Sequence, residues 1–226
     1  MQICASIMEE TVEGFLGAVA SAKEADLVEI RADGLAKQTR GEVERLLRSV
    51  KGLVGMPLIL TNRTKKEGGN FKGSEKERIE VLLRCMSLAD FVDIEYNTDG
   101  RLRSSAIQEA KDEGVTLIIS YHDFASTPAD KEMLDILKKE SALGADIAKL
   151  AVTANSMEDV LRLLEVTRKA SEKSRVCTIA MGELGRISRI MAPFFGSEIT
   201  YASVGKATAP GQLTVKEVKG MLEALK

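Results

Sequence analysis

Short runs rich in aliphatic and β-branched residues alternate with amphipathic helical runs from one end of this chain to the other. That alternation restricts the fold more than any other feature. The extended runs fall at residues 3–7, 27–31, 58–63, 91–96, 117–122, 147–152, 176–181 and 199–204. Between them the apolar residues recur with helical period at 11–22, 42–51, 75–88, 102–113, 130–143, 157–170 and 214–225, with a shorter helix at 185–191. Capping signals agree. Ser74 precedes Glu77 by three positions, Asn155 or Ser156 precedes Glu158, and Gly114 and Gly144 stand where helices should end. Eight such units, each about 23–34 residues long, define an α/β chain with parallel strands. The count suits a single (β/α)8, or TIM, barrel over residues 1–226.

A doubly wound open sheet would show the same alternation. Its dinucleotide-binding form needs a Gly-x-Gly-x-x-Gly turn after the first strand, and none is present. Helices on both faces of such a sheet also make both sides of each strand apolar. Here only one side is. Val28 and Ile30 alternate with Glu29 and Arg31, and Val92 and Ile94 with Asp93 and Glu95. Leu58 and Leu60 alternate with Ile59, Thr61 and Arg63, and Leu117, Ile119 and Tyr121 with Ile118, Ser120 and His122. One side meets helices; the other converges on a barrel interior. Polar groups there are costly unless they bind or react.

Composition removes several classes. A net charge of -2 and the absence of Trp give no case for a nucleic-acid partner or an anionic membrane surface. No apolar run is long enough to cross a bilayer, and the N-terminus reaches Glu9 and Glu10 without a signal-peptide pattern. Cys4, Cys85 and Cys177 are scattered among apolar residues and read as reduced core thiols of a cytoplasmic protein. A single histidine and no paired cysteines exclude the usual zinc sites, so neither metal nor cofactor is expected.

Lys149 lies within the apolar run Ile147-Ala148-Lys149-Leu150-Ala151-Val152. Burial there should lower its pKa and yield free amine, which attacks ketones to form an iminium. The bland alternative is a strand-end lysine that reaches out to water. His122, on the preceding strand, is either a satisfied core histidine or a general acid and base. Glu29 and Arg31 form an ion pair or contact a ligand; Asp93 and Glu95 suit a supporting core network. Arg31, Arg63 and Arg189 suit a carboxylate and hydroxyls. Two glycine-rich loops, 65–73 and 205–212, read as lids or solvated turns, with Thr208 and Gln212 the better candidates for ligand contact. A phosphate site at Gly205 lacks the glycine-led helix start it needs.

These pieces resemble the type I 3-dehydroquinate dehydratase family of the shikimate pathway. The matching segments are Val28-Glu29-Ile30-Arg31-Ala32-Asp33, Asn62-Arg63-Thr64-Lys65-Lys66-Glu67-Gly68-Gly69 and Ser120-Tyr121-His122-Asp123-Phe124. Further along come Asp146-Ile147-Ala148-Lys149-Leu150-Ala151, Gly185-Arg186-Ile187-Ser188-Arg189 and Ala207-Thr208-Ala209-Pro210-Gly211-Gln212. The resemblance implies a barrel that dehydrates 3-dehydroquinate through an iminium on Lys149, with His122 shuttling protons and Glu67 orienting it. It implies that Arg189 clamps the carboxylate while Glu29, Arg31, Arg63, Thr208 and Gln212 hold hydroxyls and the closed lid. Thr208 departs from the family serine but keeps the hydroxyl. A homodimer is the implied assembly. The competing classes are a class I Schiff-base aldolase, which more often takes a phosphorylated substrate, and a non-catalytic barrel that binds a small acid.

Overall fold

A computed structural model of the chain describes residues 1–225. Its strands are β1 (Gln2–Ile7), β2 (Leu27–Arg31), β3 (Leu58–Thr61), β4 (Phe91–Glu95), β5 (Thr116–Asp123), β6 (Ile147–Thr153), β7 (Val176–Met181) and β8 (Ile199–Ser203). They alternate with α1 (Val12–Ser21), α2 (Arg40–Leu53), α3 (Glu75–Cys85), α4 (Gly100–Asp112), α5 (Asp130–Ala142), α6 (Met157–Ser171), α7 (Ser188–Met191) and α8 (Val215–Ala224). The strands pair in parallel in the order β7-β6-β5-β4-β3-β2-β1-β8, which curls the sheet into a (β/α)8 barrel with a seam between β7 and β8. Hydrogen bonds bridge the seam, the Arg175–Glu198 fork at 2.7 and 2.8 Å among them. Glu198 N–H donates to the Val176 carbonyl at 2.8 Å, Thr178 N–H to the Ser197 hydroxyl at 3.1 Å, and the Cys177 thiol to the Ile199 carbonyl at 3.2 Å.

Three local differences from the sequence expectations have simple causes. β3 stops at Thr61 rather than Arg63, because the Arg63 N–H leaves the ladder and donates to Asp33 at 3.1 Å. The α6 capping box joins Ser156 to Asp159, not Glu158, since the third helical position is the one within reach. The short helix expected at 185–191 is a chain of turns, with α7 flanked by 3₁₀ segments Leu184–Ile187 and Ala192–Phe195.

Outward-facing Val28, Ile30, Leu60, Val92, Ile94 and Ile119 are buried beneath the helices. Inside the barrel, Leu27, Ile59, Ile118, Ile147, Cys177 and Ile199 make a separate apolar cluster. Each fully buried Leu or Ile contributes about 1.5–3 kcal/mol. The inward face is therefore not polar throughout: an apolar floor lies below, and the polar residues stand above it toward the C-terminal mouth, where such barrels carry their sites.

Candidate active site

One pleat above that floor, the register sets Ser6 beside Glu29, Thr61 beside Asp93, and Ser120 beside Lys149. Lys149 is only 3% exposed. Its Nζ lies 2.8 Å from Asp93 Oδ2, 4.0 Å from Glu29 Oε1 and 4.1 Å from the centroid of the Tyr201 ring. Burial penalises a charge there, and the carboxylate and ring face compensate it. Asp93 also accepts from Arg63 at 2.9 Å and from the Ser120 hydroxyl at 2.7 Å. Burial alone would raise Asp93, but Arg63 and Lys149 outweigh it and hold the carboxyl well below its ordinary range. Asp93 thus belongs to the supporting network, and it is also what holds the amine.

Glu29 accepts the Thr61 hydroxyl at 2.8 Å and the Ser6 hydroxyl. It does not pair with Arg31. That guanidinium forks onto Asp33 at 2.9 and 2.8 Å, which fixes it at the end of β2. Asp33 then accepts backbone N–H groups of Arg63 and Asn70, tying the β2 end to the loop after β3. Arg63 reaches Glu95 at 3.1 Å and Ser120 at 2.8 Å besides Asp93, so its charge is fully compensated.

After β3 the chain makes a 3₁₀ turn, Lys65–Glu67, ended by Gly68 in the left-handed region at φ 78. Only glycine fits there, because a Cβ would collide with the Phe124 ring. The turn delivers Glu67 to His122. Glu67 Oε2 lies 2.9 Å from Nδ1 and accepts the His122 backbone N–H at 3.1 Å. Burial pushes His122 well below the ordinary imidazole range, helped by the charges of Arg63 and Lys149. Burial pushes Glu67 up to about 7, with Arg63 opposing and Glu95 adding to the rise. The imidazole is therefore neutral at pH 7. The imidazole and the Glu67 carboxyl share one contact, so their titrations are coupled.

On the far wall, Arg189 of α7 donates to three carbonyls: Gly211 at 3.1 Å, Tyr201 at 3.0 Å and Pro210 at 3.1 Å. Among the described residues no carboxylate pairs with it. Burial pulls it down to about 10, which still leaves a cation at neutral pH. A buried guanidinium held only by carbonyls is suited to receive an anion. In the loop after β8, Thr208 N–H donates to Gln212 Oε1 at 2.7 Å, and the Thr208 hydroxyl donates to Ser6 at 2.8 Å.

Lys149, His122, Glu67, Glu29, Arg31, Arg63, Arg189, Thr208 and Gln212 all line one pocket at the C-terminal mouth. Ser6, Tyr201 and Phe124 line it too and were not singled out from sequence. Inward parity on β1 and β8 was the signal for Ser6 and Tyr201; Phe124 lies beyond its strand and gave none.

A parallel (β/α)8 barrel with a buried amine, an acid–base pair and an unpaired guanidinium at its C-terminal mouth has the make-up of a barrel enzyme. The comparisons narrow that class: the chain belongs to the type I 3-dehydroquinase family, whose profile matches residues 3–226. It is 49% identical over 201 residues to the 3-dehydroquinate dehydratase of Methanococcoides burtonii, covering 89% of this chain and 85% of that one. The Methanosarcina barkeri protein of the same name is 46% identical, covering 99% of this chain and 94% of that one. The crystal structure of 3-dehydroquinate dehydratase from Geobacillus kaustophilus superposes with a TM-score of 0.94 at 31% identity, over 99% of this chain and 90% of that one.

Proposed function

We propose that this chain catalyses the dehydration of 3-dehydroquinate to 3-dehydroshikimate through an iminium on Lys149. The observation that carries this is a lysine amine enclosed in the same pocket as the sole imidazole, whose Nδ1 is held by a carboxyl group. Lys149 Nζ, as free amine, attacks the C3 ketone, and loss of water gives the iminium. The positive nitrogen acidifies the C2 proton, which His122 removes. The resulting enamine expels the C1 hydroxyl, to which His122 returns the proton, so water leaves in an overall syn elimination. Hydrolysis of the iminium frees the product and restores the amine.

Arg189 holds the substrate carboxylate. Glu29, Arg31 and Arg63 hold ring hydroxyls, and Thr208 and Gln212 close the mouth. A phosphorylated aldol substrate fits less well, because the unpaired cation is a single planar fork suited to a carboxylate. The reading extends to a cytoplasmic homodimer with no nucleic-acid or membrane partner, which fractionation and light scattering test.

Borohydride reduction in the presence of 3-dehydroquinate tests the mechanism. The expected result is a covalent adduct at Lys149, located by peptide mass. Trapping only by a phosphorylated ketose would transfer the site to aldol chemistry. Turnover without any adduct would remove the iminium.

A further inference from the structure

The two carboxyl oxygens of Glu67 have different neighbours. Oε2 meets the His122 ring and backbone N–H; Oε1 accepts a bond from Asn97 Nδ2 at 3.2 Å. Asn97 lies just past β4, in the turn before α4. With Glu67 and His122 it lines a second cleft, which shares only those two residues with the reaction pocket. Among the described residues, no other side chain besides the imidazole donates a hydrogen bond to Glu67.

A neutral imidazole carries one N–H, and Glu67 decides where. An ionised Glu67 can only accept, so the proton stands on Nδ1 and Nε2 is bare. A protonated Glu67 donates to Nδ1, and the ring proton moves to Nε2. The second state holds one more proton than the first and cannot take one from a substrate. Because the two states lie close in energy near neutrality, one hydrogen bond is enough to bias them. Arg63, just past β3, favours the carboxylate, and Asp93 and Glu95 from β4 oppose it. Lys65 and Lys66 flank Glu67 in its own turn, and Lys149 from β6 acts on the imidazole.

We propose that Asn97 is a positioning residue: its amide keeps Glu67 ionised and so fixes the His122 tautomer whose bare Nε2 serves the pocket. This rests on the proposed role of His122 as base. It assigns a function to a residue outside the reaction pocket that touches neither substrate nor imidazole.

His122 is the only histidine, so nitrogen-15 labelling of the full chain reports one imidazole. Asn97→Leu removes the donor; Asn97→Asp keeps the shape but offers only acceptors. Asn97 is exposed, so both variants should fold. In the free protein above neutrality, the Nδ1–H tautomer is expected. Its midpoint of conversion to the Nε2–H form should rise by roughly 0.5–1 pH unit in Asn97→Leu and further in Asn97→Asp. The acid limb of kcat should move with it, while borohydride trapping at Lys149 stays intact. A midpoint that is unmoved or lowered in either variant overturns the proposal, even if kcat falls. The tautomer is read without substrate, so failure of the dehydratase reading would show separately, as absence of the 3-dehydroquinate adduct.

Discussion

The Lys149 ammonium and the Asp93 carboxylate meet at 2.8 Å across the barrel interior, from strands separated by β5. That contact ties the reactive amine to the stability of the fold. Asp93 also pairs with Arg63, so it is shared by two buried cations, with Glu95 the second partner of Arg63.

Asp93→Asn should therefore act twice. Removing one partner of a buried ion pair leaves uncompensated charge and costs about 3–5 kcal/mol. Denaturant unfolding reads that loss. The amine also loses the partner that fixes its position, so borohydride trapping with 3-dehydroquinate should be slower than in the parent. A variant as stable as the parent would show that Arg63 and Lys149 find other partners.

Lys149→Ala should lose adduct formation and turnover together, because the proposed mechanism assigns both to one atom. His122→Ala should separate them. The amine remains, so ligand is still trapped, while dehydration slows by roughly the 10²–10⁴ of a lost general acid–base. Normal turnover in the His122 variant would remove the imidazole from the mechanism.

The barrel and the strand-borne members of its pocket were legible in the sequence for one reason, whereas Glu67 came from the family resemblance and Thr208 and Gln212 from the loop that carries them. A strand's pleat fixes which residues share a face, so Glu29, Arg31 and Lys149 could be placed inward by parity alone. Parity could not give partners. Arg31 was free to choose Glu29 or Asp33, and the backbone turn after β2 brought Asp33 within a fork's reach. Nor could parity give depth: Ile59, Ile118 and Ile147 share the inward face with the site but form its floor. Asp93 read as a supporting acid, but its pairing with Lys149 joins strands far apart in sequence and could not be foreseen. The low-lying imidazole of His122 and the raised carboxyl of Glu67 both follow from burial, which only the closed barrel creates.

Arg189→Lys is a demanding test of the carboxylate clamp. A guanidinium satisfies the Gly211, Tyr201 and Pro210 carbonyls together; an ammonium cannot match that planar fork and also receive a carboxylate. The expected outcome is a KM for 3-dehydroquinate raised on the order of 10²-fold, with kcat changed much less. A comparable loss in kcat at unchanged KM would mean that Arg189 acts in the transition state and does not hold the substrate carboxylate in the ground state.

Glu140 gives a prediction with a definite pH sign. It lies on α5, fully buried on the side that packs against β6, where, among the described residues, the Lys149 backbone N–H is its near polar neighbour but neither carboxyl oxygen makes a well-formed hydrogen bond. Burial drives its carboxyl well above the usual range, and the charge of Asp93 adds to the rise. The folded chain thus keeps a proton that the unfolded chain releases once pH exceeds the ordinary glutamate value of about 4.3. Below that value the group costs no proton linkage. Above it, stability falls as pH rises, by up to about 1.36 kcal/mol per pH unit until the folded carboxyl itself ionises. Glu140→Met puts an apolar side chain of similar length in an apolar interface and removes the titration. Guanidinium unfolding should show the variant more stable by about 1–3 kcal/mol at pH 7, with the advantage shrinking as pH falls toward 4. The same advantage at both pH values would mean that packing alone, not proton linkage, separates the two proteins. A less stable variant at pH 7 would mean that the buried acid is held by a bond worth more than its desolvation.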